Sequence, residues 1–355
     1  MDIPIFPKTL PGTFWGICAY YNPTLSKNLF KNYHLFRASS KKQGLNLLTV
    51  ELAFRNRPFE LNKDDTDILI QVRADSILWQ KERLLNIGLD NLPHDCDKVA
   101  WIDADIIFTN NHWINDASIL LEKYNVVQLF DYVIRLNKSQ KPDDPSKFKE
   151  GFRDGEKSKG IVYARIVSDP KNRRPGLAWA ARREILEGLG FFDKWIVGSA
   201  DYIFYSAMYE STISNEIRSH VILSTKTEPE VANWITKMHQ RCRGSVYFVK
   251  GEIFHLYHGS IENRQYYETG KMLRSLDFDP SSDIKLNSDG CWEWASDRPR
   301  LHKFLENYFY NRNPDDKMVL RFILLIKKYY RGAISQIKRY YRGGLRRLKN
   351  LSETC

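Results

Sequence analysis

Apolar and polar positions change their period several times along the chain, and each change marks an element. Thr13-Phe-Trp-Gly-Ile-Cys-Ala-Tyr20 is a short apolar run closed by Tyr21-Asn22-Pro23, which predicts a buried first strand. From Ser26 to Lys42 apolar residues return at helical spacing, and Gly44 stops that helix. Asn46 to Phe54 is rich in β-formers and carries Glu51, and Asp67 to Arg73 is a further short extended piece. Trp79 to Ile87 has helical spacing again. Next come a strand over 98–108, a helix near 112–124 and a strand from Val126 to Phe130. Such alternation predicts an α/β fold with a mostly parallel, Rossmann-like sheet flanked by helices, in which ligands bind at the carboxyl ends of strands.

Beyond this region the pattern loosens. Residues 137–160 are rich in Lys, Asp, Pro, Ser and Gly and read as a loop, either a lid over a cleft or a plain surface insertion. Gly176 to Ala181 is strand-like, Arg182 to Gly188 helical, Gly190 a turn, and another helix begins near Ser199. Extended segments are expected at 219–224 and 246–256. No internal repeat is visible. The expected division is a domain over 1–312, with a nucleotide-binding part at about 13–136 and an acceptor-side part at about 161–312, followed by a tail over 313–355.

Charge sharpens this division. The formal net charge is +11, yet residues 317–350 alone hold eleven Lys or Arg and no acid, so the body is close to neutral. A basic groove for nucleic acid is therefore not expected. In the tail Ile323, Ile326, Tyr330, Ile334, Ile337, Tyr341, Leu345 and Leu348 recur every three or four residues between the basic ones, predicting a basic amphipathic helix. Its longest apolar stretch, Phe322 to Ile326, is too short to span a bilayer. An anionic membrane surface is the preferred partner, with the protein's own core or RNA as alternatives. Five scattered cysteines without a C-x-x-C pair predict neither a disulfide framework nor a zinc site. The N-terminus lacks a basic stretch followed by an apolar one, so no signal peptide is expected. A cytoplasmic protein held peripherally on the inner face of the membrane fits these features.

The densest chemistry lies in Lys98-Val-Ala-Trp-Ile-Asp103-Ala104-Asp105-Ile-Ile-Phe108. A carboxylate in an apolar run is costly to desolvate unless it is paired. In an extended chain residues i and i+2 face one way, roughly 7 Å apart, so Asp103 and Asp105 would look into one cleft. Hard oxygen ligands suit Mg²⁺ or Mn²⁺, and such ions hold substrate phosphates. The bland reading is a strand that ends at Asp103 with both acids in solvent.

Four further segments offer partners. Lys81 lies on a different helix face from Leu84 and Leu85, leaving a cation for a diphosphate, although a plain amphipathic helix looks the same. His255 and His258 are three apart; in a strand they point to opposite faces, so only one can join the aspartates, and His258 beside Gly259 is the better candidate. Asp201, at the start of a helix, is either an N-terminal cap or a general base. Trp292 and Trp294 stack on a sugar ring or fill a core.

Taken in order, Trp79-Gln-Lys-Glu-Arg-Leu-Leu-Asn-Ile-Gly88, Trp101-Ile-Asp-Ala-Asp105, Gly176-Leu-Ala-Trp-Ala-Ala-Arg-Arg-Glu-Ile-Leu186 with Gly190-Phe-Phe-Asp193, Gly198-Ser-Ala-Asp201 and His258-Gly259 resemble the GT-A-fold glycosyltransferases, closest to the β-1,4-galactosyltransferase-like branch. The likeness covers about residues 13–265. It implies an inverting, metal-dependent transfer from a nucleotide sugar, a UDP-sugar foremost, to a glycan or lipid-linked acceptor. On this resemblance Asp105 and His258 hold Mn²⁺ or Mg²⁺, with Asp103 on the ribose or a metal-bound water. Lys81 neutralises the diphosphate and Asp201 is the base. Tyr20, Asn22 and Glu51 lie near the nucleotide, and Gly176 and Trp179, with Trp292, line the sugar and acceptor side. The branch has an acidic cluster where this chain has Ala200 and Asp201. Two other classes stay open: a sugar nucleotidyltransferase, which needs a glycine-rich basic loop that Ala19-Tyr20-Tyr21-Asn22 lacks, and a non-enzymatic basic protein binding membrane or nucleic acid through its tail.

Overall fold

The computed structural model describes residues 2–138, 156–260, 262–312 and 314–315. The first part runs β1 (Thr13–Tyr21), α1 (Lys27–Lys42), β2 (Asn46–Phe54), β3 (Ile68–Ala74), α2 (Lys81–Asp90), β4 (Cys96–Ile102), β5 (Ile106–Phe108), α3 (Trp113–Leu121), β6 (Val126–Gln128) and β7 (Tyr132–Arg135). It continues with β8 (Glu156–Gly160), α4 (Ile161–Ile166), β9 (Arg173–Arg174), β10 (Ala178–Arg182), α5 (Arg183–Leu186), α6 (Ala200–Tyr209), α7 (Asn215–His220) and α8 (Glu228–Cys242). The last elements are β11 (Val246–Phe248), β12 (Glu252–His255), α9 (Tyr266–Ser275), α10 (Pro280–Asp283), β13 (Ile284–Leu286), β14 (Trp292–Trp294) and α11 (Pro299–Arg312).

A seven-stranded sheet in the order β11-β6-β10-β4-β1-β2-β3 forms the centre. All its neighbouring pairs are parallel except those made by β10, which runs antiparallel to both β4 and β6. This is the mostly parallel, helix-flanked Rossmann-like architecture that the alternating pattern predicts. β2 is buried at every position but the first, as a strand covered on both faces must be. The chain steps from β1 outward through β2 to β3 and then returns to the other side of β1 as β4. Strand order reverses between β1 and β4, which is where such sheets open a crevice at their carboxyl ends.

The run over 98–108 is not one strand. β4 ends at Ile102 in the central sheet, and β5 belongs to a second sheet ordered β5-β12-β7-β8-β9. Asp103, Ala104 and Asp105 make the crossing between the sheets. The loop expected over 137–160 begins and ends as structure: β7 precedes it, and β8 occupies its last five residues by pairing antiparallel with β7. Segment 219–224 is not extended, since α7 runs through His220 and among the described residues no strand covers 221–224. Ser214 caps α7 by accepting from the Ile217 amide, a local signal that outweighs the apolar run after it. Segment 246–256 divides into β11 and β12, one in each sheet. α2 starts at Lys81, after Trp79.

Cys18, Cys96, Cys242 and Cys291 are free and buried. The tail over 313–355 lies outside the described residues apart from Pro314 and Asp315. The Asp315 carboxylate accepts from Ser26 Oγ at 2.6 Å and from the Asn28 amide at 3.0 Å, placing a negative charge at the N-terminus of α1. No helix among the described residues is long and apolar enough to cross a membrane.

Candidate functional site

Strand ends converge on one pocket of about 550 Å³ at the β1/β4 reversal. Tyr20, Tyr21, Trp79, Asp103, Asp105, Gly176, Asp201, Tyr202 and His220 are among the residues that line it. Two of its residues, Leu177 and Ser199, hold left-handed backbone at φ +84° and +87° without being glycine. Such strain persists only where surrounding packing enforces it, and it gathers at functional sites.

The two aspartates part company in the crossing. Because β4 stops at Ile102, their side chains do not share a strand face. Asp103 Oδ1 accepts from Lys81 Nζ at 2.6 Å, and the same ammonium lies 3.3 Å from Asp201 Oδ1. Lys81 opens α2 while Leu84 and Leu85 pack beneath it at 0% and 2% exposure, so the two faces of this helix separate as the spacing predicts. Burial alone would lower the Lys81 pKa, but Asp103 and Asp201 outweigh it and hold the amine charged, well above its usual range. Asp103 itself is pushed up to about 6, first by burial and against the pull of Lys81.

Asp105 faces the other way. Its Oδ2 lies 3.0 Å from His258 Nε2 and 3.5 Å from His255 Nε2, and the two imidazole nitrogens are 3.1 Å apart. All three residues are buried and their ligand atoms lie within 4.8 Å of one another. The expectation that only one histidine joins the aspartates is corrected here. β12 ends at His255, and the chain then turns through Gly259, at φ +102°, so the alternation of a strand no longer separates the rings. Burial pushes His255 down to about 4 and His258 down to about 3. Burial would raise the Asp105 carboxyl, yet the two imidazoles facing it hold it well below the usual range.

This set fits a divalent cation. Asp105 Oδ1 is buried without a hydrogen-bond partner, an orphan acceptor that costs about 1–3 kcal/mol if nothing satisfies it. One carboxylate and two neutral imidazoles suit Mn²⁺ and other first-row ions better than Mg²⁺, which favours an all-oxygen shell. Arg264 Nη2 approaches His258 Nε2 at 2.7 Å.

Asp201 is the second residue of α6, whose cap position is held by Ser199. Its carboxylate lies between Lys81 and Gly176. A Cβ on Gly176 would stand 2.5 Å from Asp201 Oδ2, so only glycine leaves the acid in place. Tyr202 and His220, which also line the pocket, stack with centroids 4.1 Å apart.

The other expected residues are placed as follows. Tyr20 lines the pocket, and its hydroxyl donates to Glu60 at 2.8 Å. Asn22 is buried in the turn after β1, where its amide donates to Ser26 O and to Glu60. Glu51 does not line the pocket; its carboxylate accepts the amides of Glu60 and Leu61 and the Gln71 side chain, fastening the loop that carries Glu60 to Tyr20. Trp179 and Trp292 are core residues at 1% and 8% exposure, and Trp179 lies opposite Trp101 across β10 and β4. Trp292 holds α2 instead of a ligand: its amide and carbonyl bond the side chain of Gln80, immediately before Lys81. Trp294 stacks on His302. Sequence reasoning missed His255 as a partner of Asp105, Arg264, and the Tyr202–His220 face; the H-x-x-H spacing ending at glycine was the available signal for the first.

No protein-family model matches the chain, and no curated protein matches it. Solved structures resemble it at low identity. S. aureus TarS is 11% identical with a TM-score of 0.38, over 76% of this chain and 41% of that one. This chain thus spans less than half the length of that protein. The 1–349 form of TarS in complex with UDP-GlcNAc is 12% identical with a TM-score of 0.36, over 86% and 74%. A Drosophila β1,4-galactosyltransferase 7 mutant, in complex with manganese, UDP-Gal and xylobiose, is 10% identical with a TM-score of 0.36, over 82% and 98%. A putative glucose-1-phosphate thymidylyltransferase from Bacillus anthracis is 12% identical with a TM-score of 0.32, over 75% and 97%.

Proposed function

We propose that the chain is a metal-dependent glycosyltransferase of the GT-A class that moves a sugar from a nucleotide diphosphate, UDP foremost, to a glycan or lipid-linked acceptor. The observation that carries this reading is the pairing, within one pocket, of a buried Asp105–His255–His258 cluster with the Lys81–Asp103–Asp201 group. The cluster would hold Mn²⁺ or a related ion, and a bound ion supplies charge neutralisation for a leaving diphosphate. Asp103 serves the donor through Lys81 instead of completing the cluster. Lys81, kept charged by its two acids, presents a fixed cation to the same diphosphate. Asp201 takes the proton of the acceptor hydroxyl as that oxygen attacks the anomeric carbon opposite the leaving diphosphate, which inverts that carbon. Gly176 gives Asp201 its room, and Tyr202 with His220 offers a ring face to a sugar. Trp179 and Trp292 act from the core, Trp292 by setting Gln80 and hence the start of α2.

A sugar nucleotidyltransferase on a related sheet would need a glycine-rich basic loop after β1, where this chain has Tyr20-Tyr21-Asn22-Pro23. The tail supports a membrane-proximal acceptor through its charge alone, since residues 317–350 hold eleven Lys or Arg and no acid. A peripheral position on an anionic cytoplasmic leaflet follows from that charge.

The test is hydrolysis of UDP-sugars with and without Mn²⁺, preceded by a thermal-shift screen of UDP, GDP and CMP. A ligand at a hundred times its dissociation constant stabilises by about 2.7 kcal/mol. Expected are stabilisation by one nucleoside diphosphate with Mn²⁺ and metal-dependent hydrolysis; turnover that survives both chelation and Asp105→Ala would end this reading.

A further inference from the structure

Arg264 ends the short 3-10 turn Glu262–Arg264 that follows the histidine segment, and it is buried at 8% exposure. Its Nη2 lies 2.7 Å from His258 Nε2. A guanidinium has five N–H donors, no acceptor, and does not lose its proton in proteins. His258 Nε2 therefore gives its lone pair to Arg264, and the ring proton lies on Nδ1. Nε2 of His258 is also the atom 3.0 Å from Asp105 Oδ2 and 3.1 Å from His255 Nε2. It is thus the lone pair a divalent ion in the cluster would need. One lone pair serves one partner, so the ion and Arg264 exclude each other at His258.

The contact also explains how three such groups rest together. With Nε2 of His258 accepting, that nitrogen and Asp105 Oδ2 both turn lone pairs toward the same space, an arrangement that only a nearby positive charge relieves. Arg264 provides one. It also lines the pocket, so a guanidinium that leaves His258 has the place of the diphosphate beside it, and its fork matches two phosphate oxygens.

We propose that Arg264 is the resident counter-cation of the Asp105–His255–His258 cluster. It holds the ligands together before metal arrives, competes with the ion for His258 Nε2, and on exchange gives its guanidinium to the donor diphosphate. This rests on the metal-dependent reading above. Its consequence is coupling: a guanidinium displaced by the ion is available to the diphosphate, so metal and nucleotide each tighten the other's binding by the same factor.

Calorimetric titration of Mn²⁺ into the full chain, with and without UDP, tests this in wild type, Arg264→Ala and Arg264→Gln. Without UDP, Arg264→Ala is expected to bind Mn²⁺ on the order of tenfold more tightly than wild type, the worth of one charge-assisted hydrogen bond, and Arg264→Gln to fall between. The tightening of Mn²⁺ by UDP is expected to shrink on the order of tenfold in both variants. Melting curves without metal show whether each variant folds, and the glutamine form carries the comparison if the alanine form does not. Wild type that binds Mn²⁺ while the variants bind it no more tightly, with the UDP coupling intact, overturns this inference alone. Wild type that binds no Mn²⁺ even with UDP overturns the metal reading together with it.

Discussion

Asp103 and Asp105 are one residue apart in sequence and belong to different halves of the site. Asp103 ends the central sheet, keeps a Lys81 partner, and has its carboxyl raised to about 6 by burial. Asp105 stands just before the second sheet's β5, meets two imidazoles, and is held by them well below the usual range. The difference teaches that i, i+2 spacing gives proximity, while the strand boundary between the two residues decides direction. On the proposed function the first acid handles the donor through a lysine and the second handles a metal, so substitutions at the two positions should fail in different ways.

The largest effect is expected at the metal half. Asp105→Ala should cost about 10³-fold or more in turnover, the scale of losing a fixed transition-state charge, and should abolish Mn²⁺ binding by calorimetry. Next comes the base: Asp201→Asn should lower kcat about 10²–10⁴-fold and leave Mn²⁺ affinity unchanged. Gly176→Ala moves Asp201 without removing it and should produce a weaker version of that phenotype, read as kcat loss at constant metal affinity. Asp103→Asn sharpens the comparison most. It should raise the donor KM about tenfold with Mn²⁺ binding intact. It should also remove an acid limb near pH 6, because Asp103 must ionise to fix Lys81.

The smallest effect on activity is expected at Glu82, beside Lys81 but turned into the core. Burial raises this carboxyl from its ordinary 4.5 to about 8, and it accepts from Trp79 Nε1 at 3.1 Å. Between those two values the folded state keeps a proton that the unfolded state has lost, so stability falls as pH rises through that window and levels off above 8. Glu82→Gln should flatten this dependence and add about 3 kcal/mol at pH 7 in denaturant titrations, with kcat unchanged.

Much of the first half of the molecule was legible in the sequence because each element there has one dominant signal. β2 appears at Asn46–Phe54 as the β-rich run predicts, and α1 begins after Ser26, which caps it. The mostly parallel sheet and a ligand cleft at the carboxyl ends of its strands follow from the alternation, whereas the strand order is seen only in the structure. Two of the failures share one physical cause. An apolar run records burial, not which sheet buries it, so Lys98–Phe108 and 246–256 each read as one segment where the chain crosses between two sheets. The same blindness hid His255: its role depends on β12 ending there, and a strand boundary four residues before Gly259 is decided by pairing with β5 and β7. Trp179 and Trp292 show the converse, since an aromatic side chain carries the same signal in a core as on a sugar-binding face.

Pulsed electron paramagnetic resonance of the Mn²⁺-loaded protein tests the central point most directly, because it counts the nitrogens bound to the ion. Two imidazole couplings are expected in wild type and in Asp103→Asn, one in His255→Ala or His258→Ala, and no specifically bound ion in Asp105→Ala. A wild-type spectrum without imidazole nitrogen, or one that Asp103→Asn erases, would contradict the assignment of the metal to Asp105, His255 and His258.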